Sequence, residues 1–165
     1  MEDTLQRTGK EITHIYNSHA DTIYKVCFMM LRNVVDAEEA TQTVFLKLMK
    51  SNQAFRDTEH EKAWLIVTAR NHCKNMIKHW WRRLRVTWEE SDQKQLSEEI
   101  KQDQIIDEVL SLPAKYRLPI YLFYYEGYST KEIADMLTIK EPTIRTRLHT
   151  GRKLLKLSIG GERHE

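Results

Sequence analysis

Glycine, proline and cysteine are scarce in this chain: five, three and two among 165 residues. So few helix breakers leave long stretches free to run as helix. No segment of useful length alternates apolar and polar residues with a period of two, so a sheet fold is not expected. Two cysteines cannot staple a small secreted scaffold. Cys27 and Cys73 both fall on apolar helical faces and read as buried small hydrophobes in a reducing cytosol rather than as a disulfide or a reactive thiol. No run approaches about 18 consecutive apolar residues, the length a membrane-crossing helix needs. The opening MEDTLQRTGK lacks an apolar core, so no signal peptide is expected and the expected compartment is the cytoplasm. Repeats, low-complexity tracts, a Gly-rich phosphate loop and a nucleophile motif are also missing. His72 and Cys73 are adjacent, and neighbouring side chains on a helix diverge by about 100°. With no C-x2-C or H-x3-H spacing beside them, neither a metal nor any other cofactor is expected. Nothing in the sequence points to an enzyme.

The net charge is only +2, yet its distribution is uneven. Residues 62–88 hold seven bases (Lys62, Arg70, Lys74, Lys78, Arg82, Arg83, Arg85) and no acid. Residues 89–108 hold eight acids against Lys94 and Lys101. Residues 140–156 hold six bases against Glu141. Two basic blocks separated by an acidic stretch suggest two contacts with a polyanion, joined by a segment that avoids it.

Apolar spacing predicts a first helix over 11–32, with Ile12, Ile15, Tyr16, Ile23, Val26, Cys27, Met30 and Leu31 at helical spacing. After a short break, Asp36 opens a second helix with Glu39 three residues on, a capping-box spacing. Ala40, Val44, Phe45 and Leu48 face inward there, and Asp36, Glu39, Gln42 and Thr43 form a polar stripe. Residues 51–60 break the pattern around an isolated Phe55. A third helix is predicted over 61–83, with Leu65, Ala69, Cys73, Met76, Ile77, Trp80 and Leu84 as its core stripe. Arg70, Lys74, Lys78 and Arg82 recur every four residues as one basic ridge. Residues 85–104 read as a polar, acidic linker.

A short amphipathic helix follows at Ile105, Ile106, Val109 and Leu110. The next opens at Leu112-Pro113; Pro119 inside its pattern predicts a bend or a late start, and Gly127 its end. Ser129-Thr130-Lys131-Glu132 is a second capping box, starting a helix to Leu137. A turn at 138–140 leads to a last helix with Pro142 near its start. This is a helix-turn-helix in mechanics. Ile133, Ala134 and Leu137 pack one side, and Ile139, Ile144, Leu148 and Leu154 or Leu155 the other. Thr143, Arg145, Thr146, His149, Arg152 and Lys153 stay outside, where short polar side chains and arginines reach base edges and phosphates in a major groove. That pattern alone also fits a stand-alone helix-turn-helix transcription regulator.

The upstream half separates these readings. DAEEATQTVFLKLMK at 36–50 and AFRDTEHEKAWLIVTARNHCKNMIKHWWRR at 54–83 closely resemble region 2 of bacterial sigma factors. LPAKYRLPIYLFYYEGYSTKEIADMLTIKEPTIRTRLHTGRKLL at 112–155 resembles region 4. In that order, with only a short acidic linker between, the chain resembles an extracytoplasmic-function (ECF) sigma factor. The resemblance implies an all-α protein. A region 2 bundle occupies 1–86, a flexible acidic linker 87–104, and a region 4 helix-turn-helix domain 105–165. It implies binding of core RNA polymerase and of promoter DNA to initiate transcription, in response to stress and under an anti-sigma factor, often membrane-anchored. The active site belongs to the polymerase, so no small-molecule substrate is expected.

The same resemblance places the sites. Asp36, Glu39 and Gln42 match the stripe that docks on the clamp helices of the polymerase β′ subunit. The loop at 51–60 matches the −10 specificity loop, which captures a base flipped from the non-template strand; Phe55 and Asn71 stand where that pocket is sought. Arg70, Lys74, Lys78 and Arg82 would track phosphates of the −10 region. Lys140, Pro142, Thr143, Arg145, Thr146, Arg147, His149 and Arg152 match the recognition of the −35 element, and the region 4 domain would also touch the β flap. The linker's acidity suits nucleic-acid mimicry in a basic channel of the polymerase. Plainer readings stand beside these. Phe55 could anchor its loop to the core, Asn71 could be a buried structural amide, and the tryptophans read first as packing residues. Two residues depart from the family pattern: relatives often carry glycine where Thr138 stands and a serine cap near Lys140.

Overall fold

The computed structural model describes residues 7–84 and 104–159. Seven α-helices and no strand occur among them. They form two compact units, α1 to α3 and α4 to α7.

In the first unit, α1 (Gly9–Leu31) packs along α3 (Thr58–Leu84), and α2 (Val34–Lys50) closes the core. Ile23, Val26 and Cys27 from α1, Ala40, Val44 and Leu48 from α2, and Leu65, Ile66, Ala69 and Cys73 from α3 are all fully buried. Full burial of such aliphatic side chains is worth about 1.5–3 kcal/mol each. The two cysteines meet across α1 and α3, and the mutual hydrogen bond and burial push the Cys73 thiol far above its ordinary value. Cys73 is therefore an uncharged packing residue, while the same hydrogen bond from Cys73 holds the Cys27 thiol below its ordinary value. Buried His19 lies 2.9 Å from Glu61 and ties α1 to the first turn of α3.

Several helix starts differ from expectation, α1 beginning at Gly9, two residues early. α3 begins at Thr58, three residues early, because the Asp57 carboxylate accepts the His60 N–H at 2.7 Å and caps it. α2 begins at Val34, which places Asp36 inside its first turn rather than at a cap. The acid still complements the positive end of the helix.

In the second unit, α4 (Gln104–Leu110), α5 (Ala114–Tyr124), α6 (Thr130–Leu137) and α7 (Glu141–Ile159) surround Val109, Leu118, Ile120, Leu122, Ile133, Leu137, Ile144 and Leu148. The capping box is complete: Ser129 accepts the Glu132 N–H and Glu132 accepts the Ser129 N–H. α5 starts at Ala114, with no late start, and runs through a buried Pro119. Its C-cap is Tyr125, and Gly127 (φ 75°) turns the chain two residues later. Gly151 is buried between helices; a Cβ there would meet two Ile120 atoms at 3.0 Å. That absence of a side chain lets α5 and α7 approach closely. The linker expected at 87–104 lies, but for Gln104, outside the described residues, as do Arg85 and Trp88.

Candidate nucleic-acid and polymerase interfaces

The outer face of α2 is built by its own periodicity. With Ala40, Val44 and Leu48 turned inward, Glu39 and Gln42 are exposed. Steps of three and four then place Val35, Leu46 and Met49 on the same face, with relative exposures of 65%, 51% and 53%. Asp36 lies about 100° from Val35 around the helix, on the margin of this stripe, and is half-buried. Burial, and secondarily the charge of Glu39, raise its carboxyl above the ordinary aspartate value. The stripe is thus a mixed surface, two polar residues among three apolar ones. Sequence reading missed Leu46 and Met49; the signal was their offset from the Val44–Leu48 core face. Behind it, Phe45 is buried and meets Tyr16 edge-on at 4.9 Å.

The loop after α2 is held by a residue from outside it. Arg7 donates to the carbonyls of Leu48 (3.2 Å), Ser51 (3.0 Å) and Gln53. Its guanidinium also stands 5.1 Å over the Phe55 ring. Phe55 is half-buried, with His60 at 5.4 Å and Trp64 at 5.7 Å, both edge-on. Phe55 therefore does anchor the loop, and one side of its ring is already occupied by a cation. Asn71 is exposed, which removes the buried-amide reading, and accepts a hydrogen bond from Arg70 at 3.1 Å. It lies two turns beyond Trp64 on α3, about 10 Å along the axis. Phe55 and Asn71 thus stand at two stations along α3.

Lys74, Lys78 and Arg82 are exposed and Arg70 half-buried along the outer face of α3. The charges of Arg70 and then Lys78 press the Lys74 ammonium below its usual value. Like charges that perturb one another attract a polyanion more than any one of them would alone. Of the core stripe expected here, Leu65, Ala69 and Cys73 are fully buried, joined by Ile66, while Met76, Ile77 and Trp80 are half-buried. Trp81 is 58% exposed, so it is not a packing residue.

On α7, Pro142, Thr143, Arg145, Thr146, His149 and Arg152 are exposed and Arg147 half-buried. Buried Ile144, Leu148 and Gly151 fix that face outward. Glu141 organises the start of the helix: it accepts from Thr130 Oγ1 at 3.0 Å and pairs with Arg145 at 2.8 Å. Those two bonds hold its carboxyl below the ordinary glutamate value. Arg152 donates to the Tyr124 hydroxyl at 3.3 Å. Lys140 precedes the helix, exposed, its carbonyl accepting the N–H groups of Thr143 and Ile144 at 3.0 and 3.2 Å.

Comparison with known proteins agrees with both halves. The family profile of sigma-70 region 2 matches residues 15–83, and that of sigma-70 region 4 matches residues 102–155. The ECF RNA polymerase sigma factor SigL of Mycobacterium tuberculosis is 28% identical over 155 residues, covering 88% of this chain and 86% of the relative. SigW of Bacillus subtilis, also an ECF RNA polymerase sigma factor, is 28% identical over 162 residues, covering 88% of this chain and 87% of the relative. Among solved structures, the sigma factor RpoE of Bartonella quintana, in complex with the anti-sigma factor NepR, superposes with a TM-score of 0.72 at 18% identity. It covers 93% of this chain and 99% of that one. CnrH, in complex with the cytosolic domain of CnrY, gives 0.66 at 14% identity, covering 94% of this chain and 92% of that one. Among the described residues, no helix is long and apolar enough to cross a membrane.

Proposed function

The chain belongs to the ECF sigma factors, and from that premise we infer how its two units divide the work of promoter selection. It binds core RNA polymerase and directs it to specific promoters. The first unit, within 1–86, docks on the β′ clamp helices through Glu39 and Gln42, with Asp36 at the margin and Leu46 and Met49 completing the surface. Its loop around Phe55, with Asn71, engages the −10 element, and the ridge Arg70, Lys74, Lys78 and Arg82 carries the strand's phosphates. The second unit, within 105–165, lays α7 in the major groove of the −35 element and touches the β flap. There Arg145, Thr146 and His149 face base edges, while Lys140, Arg147 and Arg152 face phosphates. Residues 87–104 join the two through the polymerase.

The protein supplies recognition and the polymerase the chemistry, so it has no catalytic residues of its own. It works in the cytoplasm. Similarity to a sigma factor captured with its anti-sigma factor supports control by such a partner, which we place in a stress response. The observation that carries the reading is the coexistence of two surfaces in one chain: the mixed stripe of α2 and the basic outer face of α7. A stand-alone regulator has use for only the second.

Run-off transcription from genomic promoter fragments, with sigma-free core polymerase and the purified chain, tests it. Specific transcripts are expected, and Arg145→Ala should cut them roughly 10- to 100-fold, the loss of one good base contact. Duplex binding without any affinity for core polymerase would establish the stand-alone regulator instead.

A further inference from the structure

Beside the recognition helix lies a groove of about 410 Å³ between the start of α5 and the outer face of α7. Lys115 and Tyr116 form one wall, and Thr143, Thr146, Arg147 and Thr150 the other. Both charged residues are cations. Resting on the −35 reading above, we propose that this groove holds a backbone phosphate of the duplex, with Lys115 and Arg147 as its cations. Lys115 is then a DNA-positioning residue contributed by a helix outside the helix-turn-helix.

The helical wheel of α7 supports this. With Thr146 at the centre, His149, Arg145 and Arg152 lie at about −60°, −100° and −120°, and Thr150, Thr143 and Arg147 at about +40°, +60° and +100°. A helix in a major groove has a sugar-phosphate strand on each flank, because the groove is only about 12 Å wide. Arg152 serves one strand. On α7 itself Arg147 is the cation turned toward the other, and a neighbouring helix can add a charge there.

Gly151 is what allows α5 to do so. A Cβ at that position would meet Ile120 Cγ1 and Cδ1 at 3.0 Å and Tyr116 Cβ at 3.4 Å. With only hydrogen there, α5 closes on α7 one turn from Arg147. Lys115 is exposed, and its Nζ stands 5.0 Å from the centroid of the Tyr116 ring. The aromatic face thus holds the ammonium at the groove wall. Thr143 and Thr150 add hydroxyl groups along the opposite wall. Two cations and hydroxyl donors around an open hollow match a phosphodiester, which offers charge and acceptor oxygens but no sequence.

The test uses the full chain assembled with core polymerase and a pool of duplexes randomised at the −35 element. The wild type, Lys115→Gln, Lys115→Arg and Arg145→Ala are compared by sequencing bound DNA and by titration at several salt concentrations. Lys115→Gln is expected to weaken binding several-fold for every recovered sequence alike and to lower the salt slope by about 0.9. The preferred sequence should not move, and Lys115→Arg should restore affinity. Arg145→Ala should instead change the preferred sequence. Unaltered affinity and slope in Lys115→Gln would overturn the proposal. So would lost affinity for core polymerase in the absence of DNA, which would make the groove a protein-docking surface. Failure of the wild type to select any sequence would overturn the −35 reading itself, a result distinct from both.

Discussion

The two units build their proposed DNA surfaces in opposite ways. In the second, the recognition face is the outside of one helix, and everything that aims it is nearby: the capping box at Ser129 and Glu132, the Glu141–Arg145 pair, and the buried Ile144 and Leu148. In the first, the loop at 51–57 has no regular structure to hold it. Its shape comes from Arg7, more than forty residues upstream, and from Phe55 folded against Trp64. A surface read by a rigid helix selects duplex sequence. A surface carried on a loop braced at a few points can take hold of a base only once it has left the stack, which costs a few kcal/mol. On the proposed reading, melting and docking fall to elements of different stiffness.

The comparison breaks most completely if the first unit never reaches the polymerase. Leu46→Asp with Met49→Asp puts two charges on the apolar part of the α2 stripe, where both side chains are already half in water. Folding should be unaffected, since neither lies in the core. Core-polymerase affinity should fall by at least 100-fold, because buried apolar anchors dominate such interfaces and unpaired charges are costly there. Asp36→Ala should cost far less, as a marginal residue. Equal losses for the two, measured by titration with labelled polymerase, would return the centre of the docking surface to Asp36.

A smaller effect separates loop from helix. Arg7→Ala removes three donors to backbone carbonyls and the cation over Phe55. At about 0.5–1.5 kcal/mol per bond in a part-exposed setting, the loop should loosen without global unfolding. Transcription from a double-stranded promoter should fall severalfold, and a template already unpaired across the −10 element should recover most of it. Arg145→Ala should gain nothing from the same pre-opened template. If both variants were rescued alike, the division between a duplex-reading helix and a strand-capturing loop would not hold.

This difference also decided what could be read from sequence. Contacts within a few residues leave a pattern: the Ser129 box, the 133–137 and 144–148 core positions and the four-residue basic ridge were all legible from spacing. The family match added the roles. Arg7 was not legible, because nothing in a run of residues announces that a distant guanidinium will cap a loop. Asp57 was passed over as the cap of α3 because the apolar pattern begins only with Trp64 and Leu65, and polar first turns leave no periodic signal. Nothing in the spacing singles out Gly151, and only the 3.0 Å approach of Ile120 gives it a reason. Trp81 was read as packing from composition alone, whereas the helix turns it outward.

The smallest expected effect lies in the unit where local signals work best, at a local conflict in its turn. Thr138 closes α6 with φ 55° and ψ 48°, a left-handed conformation. A side chain with a Cβ pays about 1–2 kcal/mol there, and β-branching makes it worse. The turn keeps that geometry because the Ile139 N–H reaches back to the Ala134 carbonyl at 3.0 Å and the flanking Leu137 and Ile144 are buried. Thr138→Gly should relieve the strain but gain freedom in the unfolded chain, which offsets roughly 0.5–1 kcal/mol of it. The net gain in denaturant unfolding of this unit should be about 0.5–1 kcal/mol, and Thr138→Ala, still carrying a Cβ, should show much less. Duplex preference should be the same in all three, since the turn sets the angle between α6 and α7 and all three side chains accept that angle. A changed preference in Thr138→Gly would mean that strain at this residue bends the recognition helix, and that the stiff reader is less stiff than its packing implies.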